Sequence, residues 1–123
     1  MNNKLGKDFE NGALEILEGY GYKISARESI HVYANQRPWQ VDLRVTKGND
    51  TAVIELKHQE SGGSAYEKVD FACRKLTKVA SRTKAKKALM VYSGRKMERF
   101  MHSHPLAQEM KRDYANIEFI SYG

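Results

Sequence analysis

The chain predicts a single α/β domain: a mixed central β-sheet flanked by helices, in the order helix, three strands, helix, strand, helix, strand (αβββαβαβ). Three observations lead there. Apolar residues recur at helical spacing in three separate stretches. Alternating or continuous apolar runs of strand length lie between them. Strong turn signals stand at the junctions, above all Lys47-Gly48-Asn49-Asp50 and Ser61-Gly62-Gly63.

The stretch 6–19 predicts the first helix. Phe9, Ala13, Ile16, Leu17 and Tyr20 recur every three or four residues, and Gly19 and Gly21 end the run. Residues 22–32 have extended character, and Asn35-Gln36-Arg37-Pro38 predicts a turn. Val41, Leu43 and Val45 alternate with Gln40, Asp42 and Arg44, the period of a half-buried strand. The run 51–57 is another strand, and the turn at 47–50 joins the two as a hairpin. Ser64 opens a second helix, with Glu67 three residues later completing a capping box. Val69, Ala72, Cys73, Leu76, Val79 and Ala80 form its apolar face. The short apolar run 87–92 predicts a buried strand, closed by Ser93-Gly94. Residues 95–114 are expected to be helical with an interruption near Pro105, and 117–120 form the last strand. The early strands are expected to pair antiparallel, and the later ones, joined through helices, parallel.

A length of 123 residues suits one domain over 1–123, large enough for a real core. With 41% hydrophobic and 29% charged residues, wholesale disorder is excluded. No apolar run approaches the ~20 residues that span a bilayer, so no membrane partner is expected. The start of the chain lacks the apolar core of a secretory signal, and the lone Cys73 cannot form an internal disulfide. A cytoplasmic, intracellular location is the expectation.

The net charge of +6 points to a polyanionic partner, and its distribution is uneven. Between Arg74 and Arg99 lie ten basic residues against one acid, Glu98, while most acids sit upstream. Lys78, Arg82 and Lys86, with Arg74 and Lys75 nearby, form either a stripe for phosphates or a solvated helix face.

The residues that carry chemistry are Asp42 on one strand and Glu55-Leu56-Lys57 on the next. Residues two apart on a strand share a face, so Glu55 and Lys57 project together, opposite Ile54 and Leu56. If the hairpin pairs, one carboxylate from each strand converges beside an ammonium group. Two carboxylates suit a hard divalent cation such as Mg²⁺, bound through oxygen. Such a cation lowers the pKa of a bound water and neutralises charge on a phosphate. The lysine orients or deprotonates the attacking water, or stabilises transition-state charge. Alternating charge on a strand is more often a solvated face. Here, however, Val53, Ile54 and Leu56 argue for burial, where three ionisable groups need a reason.

Asp42 with Glu55-Leu56-Lys57 resembles the signature of the PD-(D/E)xK nuclease superfamily, the fold of many type II restriction endonucleases and Holliday junction resolvases. Gly6-Lys7-Asp8-Phe9-Glu10, followed by Leu17-Glu18-Gly19-Tyr20-Gly21-Tyr22, is similar to the opening helix of several branches. Lys57-His58-Gln59, followed by Gly62-Gly63-Ser64-Ala65-Tyr66-Glu67-Lys68, is similar to a pattern in restriction-type members. The proline that names the motif is replaced by Val41. The resemblance implies a restriction-endonuclease-like core and metal-dependent hydrolysis of DNA phosphodiester bonds. Asp42 and Glu55 would bind Mg²⁺ or Mn²⁺, helped by an acid matching Glu10. Gln59 would lie next to the active site, and Lys68 would contact phosphate.

The expected activity is that of a sequence-specific endonuclease of restriction or homing type, acting on double-stranded DNA. A Holliday junction resolvase acting on branched DNA is the alternative within the fold. From another class comes a non-catalytic, basic nucleic-acid-binding domain. Cutting both strands of a duplex is most simply done by a symmetric homodimer. His102-Ser103-His104 has no accompanying Cys or His cluster and is not expected to bind metal. His58 is expected to be exposed if Glu55 and Lys57 face inward, or the reverse, and non-catalytic in either case; Cys73 is expected to be core, and Tyr33 and Trp39 to pack or to stack on bases.

Overall fold

A computed structural model describes residues 3–30 and 39–122. Helix α1 (Asn3–Gly19) leads into strand β1 (Lys23–Ile30), followed by β2 (Trp39–Lys47) and β3 (Asp50–His58). Helix α2 (Ala65–Thr83), β4 (Lys87–Ser93), α3 (Arg95–Ser103), α4 (Pro105–Asp113) and β5 (Ile117–Ser121) complete the chain. The turn expected at 35–38 and Tyr33 lie outside the described residues, as does the Trp39 side chain. The five strands form one mixed sheet in the order β1-β2-β3-β4-β5. Pairing is antiparallel through β1, β2 and β3, then parallel through β4 and β5. That is the expected arrangement, with the last helix divided into two.

Local chemistry accounts for the boundaries. Gly21, at a φ of 89°, ends α1, with Tyr22 N–H donating to Leu17 O and Gly21 N–H to Glu18 O. Ser64 caps α2 by accepting from Glu67 N–H. His104 divides the last helix: its Nδ1 accepts from Leu106 N–H, and Pro105 begins α4, where a missing N–H costs nothing. This capping role is what the His102-Ser103-His104 stretch does here.

Two cores flank the sheet. On one face α2, α3 and α4 bury Val69, Leu76, Met97, Met101 and Met110 against Val53, Met90 and Tyr92. On the other, α1 lays Phe9 and Leu17 against Leu43, Val45, Ile54 and Leu89. The first-helix stripe is narrower than expected. Phe9, Ala13 and Leu17, four residues apart, are buried, whereas Ile16 and Tyr20 are exposed because α1 covers only part of its face of the sheet. No helix among the described residues is long and apolar enough to cross a membrane.

Cys73 is fully buried in the α2 face, and its thiol is pushed up to about 12 by burial first and by the Asp70 charge second. A disulfide reagent at mildly alkaline pH is therefore expected to leave it unmodified until the protein unfolds. Rapid labelling of the native protein would show that α2 is not seated as described.

Candidate active site

The β2–β3 ladder runs from Lys47↔Asp50 only as far as Leu43↔Ile54. Beyond it the strands part, while β3 continues to pair with β4 as far as His58↔Ser93. Two side chains bridge the fork reciprocally. Asp42 Oδ2 accepts from Leu56 N–H at 2.7 Å, and Glu55 Oε1 accepts from Asp42 N–H at 3.1 Å. Each carboxylate takes the place of a backbone carbonyl that a continuous ladder would have supplied.

The break also corrects the reading of β2. Strict alternation would put Val41, Leu43 and Val45 on one face, yet Val41 packs into the α2-side core and Leu43 and Val45 into the α1-side core. Past Asp42 the strand keeps its register with β1 but loses its pairing with β3, and Val41 turns toward the α2-side core.

Glu55 is the most buried charged residue described, at 1% exposure. Lys75 Nζ lies 2.9 Å from its Oε2, and Lys57 Nζ lies 3.6 Å away. Burial raises the Glu55 carboxyl above its ordinary value and the Asp42 charge adds to the rise, while Lys75 and then Lys57 oppose it. Asp42, Glu55 and Lys57 are thus brought together as the hairpin reading required.

Comparison with known protein families and with curated proteins finds no match. Among solved structures, the crystal structure of a protein of unknown function, AF1548, is similar in fold, with a TM-score of 0.61 at 11% sequence identity. The match covers 93% of this chain, which spans 57% of the length of that protein.

The other expected residues are dispersed. Glu10 lies on α1, half-buried and beside Phe9, whose ring faces His58. Among the described residues no three His, Cys, Asp or Glu side chains are grouped to hold a metal ion, so Glu10 does not join Asp42 and Glu55. Gln59 is buried, and its amide Nε2 donates to Gly62 O, turning the side chain toward the loop; its Oε1 has no hydrogen-bond partner. Lys68 rests against Gly63. Arg74 pairs with Asp70 one turn away, at 3.3 Å. Lys78 and Arg82 are exposed on the half of α2 that leads away from the fork.

Lys86 is past the end of α2 and pairs with Asp50 at 2.7 Å. Its hydrogen bond and then its charge hold the Asp50 carboxyl below the ordinary value. That pair stands at the start of β3, roughly 20 Å along the strand from Lys57. The stripe of Lys78, Arg82 and Lys86 is therefore not a continuous helix face.

Several residues of the site had no clear signal in the sequence. Lys75, counted among the DNA-binding lysines, is turned inward, and only its place beside Leu76 at the border of the apolar face hinted at it. His58 is half-buried, and its Nδ1 shares a 2.6 Å hydrogen bond with the Ser93 hydroxyl across the parallel pair. Lys96 donates to Gly62 O at 2.9 Å and to Gly63 O, fastening the loop that follows β3.

Lys75 thereby acts on Glu55. Replacing it with Ala leaves a buried carboxylate with only the 3.6 Å Lys57 contact as its cation, and a loss of about 1–3 kcal/mol is expected in a thermal melt. An unchanged Tm in Lys75→Ala would show that Lys75 does not serve Glu55.

Proposed function

We propose that this chain is a metal-dependent DNA endonuclease with a restriction-endonuclease-like core. Asp42 and Glu55 are its cation ligands, for Mg²⁺ or Mn²⁺, and Lys57 is its third catalytic group. The observation that carries this reading is the fork between β2 and β3. There a ladder is given up so that two carboxylates and an ammonium group meet, one carboxylate almost wholly buried. Burying a charge in this way destabilises the fold unless it is compensated, and so calls for a functional reason.

The donor set suits a hard divalent cation. Both acids offer only oxygen, and the repulsion that helps to raise the Glu55 pKa is relieved by positive charge between them. When bound, the cation supplies charge neutralisation at the phosphate and a lower pKa for its water. Leu56 N–H orients the Asp42 carboxylate, and Lys75 orients that of Glu55. Lys57 keeps part of its side chain in solvent and is free to hold the attacking water or the phosphate oxygen. A homodimer would cut both strands of a duplex.

One observation favours a second reading. Glu55 is already paired with Lys75 and Lys57, so the cluster is charge-compensated by the protein alone. That is what a non-catalytic nucleic-acid-binding domain with a structural ion cluster would show.

Incubating the protein with supercoiled plasmid and with a synthetic four-way junction, in Mg²⁺ or in EDTA, tests the proposal. Metal-dependent cutting is expected, and a preference for the junction would mark a resolvase. Salt-sensitive binding indifferent to metal, with no cutting of either substrate, would favour the binding domain.

A further inference from the structure

The cations that line the groove beyond the fork are not those of α2. The carboxyl ends of the parallel strands β3 and β4 open onto a groove of about 760 Å³. One wall is the loop 60–64 with Tyr66 in the first turn of α2, and the other is α3 with the junction at Ser103 and His104. Three cations line it, Arg95, Lys96 and Arg99, against one carboxylate, Glu60. That carboxylate is engaged, its Oε1 accepting from Arg95 N–H at 3.1 Å. Lys96 is committed to the loop carbonyls. Arg95 and Arg99 are four residues apart on the exposed side of α3, and no carboxylate lies within ion-pair distance of either guanidinium among the described residues. Lys75, Arg74 and Lys86, by contrast, are each paired with an acid of the same chain.

We infer that this groove binds an unpaired strand of nucleic acid, with its phosphates on Arg95 and Arg99 and a base on Tyr66. The inference rests on the nuclease reading only for the nature of the polymer. Two guanidiniums one helical turn apart suit successive phosphates, since each presents several donors in a fixed plane. The volume lies within the ~300–1,000 Å³ range of ligand clefts, room for a strand's backbone and a base. Tyr66 is 39% exposed at the groove, and an aromatic face beside a cationic track is the arrangement that holds single strands. A duplex keeps its base faces stacked inside and would leave Tyr66 nothing to stack on. The groove also begins where β3 leaves Lys57 and Gln59, so a strand seated in it would lead toward the fork.

Fluorescence polarisation of a labelled oligonucleotide, single-stranded or as a duplex and always in EDTA, separates this from the question of cleavage. Arg95→Gln/Arg99→Gln is expected to weaken single-strand binding at least tenfold and to reduce the log–log salt slope by about 1.4, two phosphates' worth for a single strand. Tyr66→Ala is expected to weaken it roughly fivefold or more with the slope unchanged. Arg74→Gln/Lys78→Gln, on α2 outside the groove lining, is expected to change it less than twofold. Circular dichroism would establish that each variant is folded. The inference is overturned if the folded Arg95/Arg99 variant binds single strands like wild type. It is also overturned if duplex binding suffers equally while Tyr66→Ala has no effect, or if millimolar inorganic phosphate fills the groove and no strand binds. Groove-dependent binding without cleavage in Mg²⁺ would overturn the nuclease reading and leave this inference standing.

Discussion

Replacing Lys57 with Ala is expected to lower metal-dependent cleavage by roughly 10²–10⁴-fold, the range for losing one acid–base or charge-stabilising group. The geometry makes this effect local. Lys57 Nζ is 3.6 Å from Glu55 Oε2, the longer of that oxygen's two cationic contacts, and Lys75 at 2.9 Å remains when it is removed. At 26% exposure the lysine keeps contact with water, so its loss opens no cavity in the core. Stability should fall by no more than ~1 kcal/mol, the scale of a partly exposed ion pair. Rate and fold can therefore be separated by single-turnover cleavage at saturating DNA together with a thermal melt. Lys57→Arg should not restore the rate, since a planar guanidinium cannot replace the compact ammonium. A variant that cuts at the wild-type rate would remove Lys57 from the mechanism, and one that unfolds would make the residue structural.

Gly94→Ala is expected to produce the largest loss of stability of any single methyl addition at this end of the sheet. Gly94 links β4 to α3 at a φ of 95°, a conformation that L side chains rarely adopt. A β-carbon there would lie 2.4 Å from Gln59 O and 2.8 Å from Gln59 N. Both atoms are already bonded: Gln59 N–H donates to Ser93 O at 3.0 Å and Gln59 O accepts from Met97 N–H at 3.1 Å. The clash is with backbone, so no rotamer relieves it. Strain and overpacking each cost about 1–3 kcal/mol, so a loss of about 3 kcal/mol or more is expected, roughly 10 °C in Tm for a domain this size. Cleavage should fall as well, because Gln59 and the loop behind it move away from the fork. A thermal melt and a cleavage assay check both, and an unchanged Tm would mean that the two strand ends do not meet as described.

The elements were legible because each depends on residues close together in the chain. The 3.6-residue period of Val69 to Val79, the Ser64 cap, the turn at 47–50 and the apolar run of β4 are local features, and all appear where they were expected. Asp42, Glu55 and Lys57 were legible for a related reason. Period-two alternation puts Glu55 and Lys57 on one face, and a short turn leaves the hairpin little freedom in where it brings Asp42.

Helical periodicity could not say how wide a stripe α1 would bury, since that depends on how much of the sheet the helix covers. It therefore overcounted Ile16 and Tyr20. Composition, in turn, counted cations without knowing which of them would meet an acid. Lys75 and Lys86 look alike in the sequence, yet one is drawn to a buried carboxylate and the other to an exposed one at the far end of the same strand.

Sequence pattern therefore decided the order and type of the elements and the pair of strands that carries the acids. Tertiary structure alone decided that β2 leaves β3 at Asp42, that Lys75 serves Glu55, that Gly94 lies against Gln59, and that Arg95 and Arg99 line the groove beyond β3 and β4. Each of these is a contact between segments far apart in the chain, governed by burial, charge and close approach, which no periodicity within a single segment encodes.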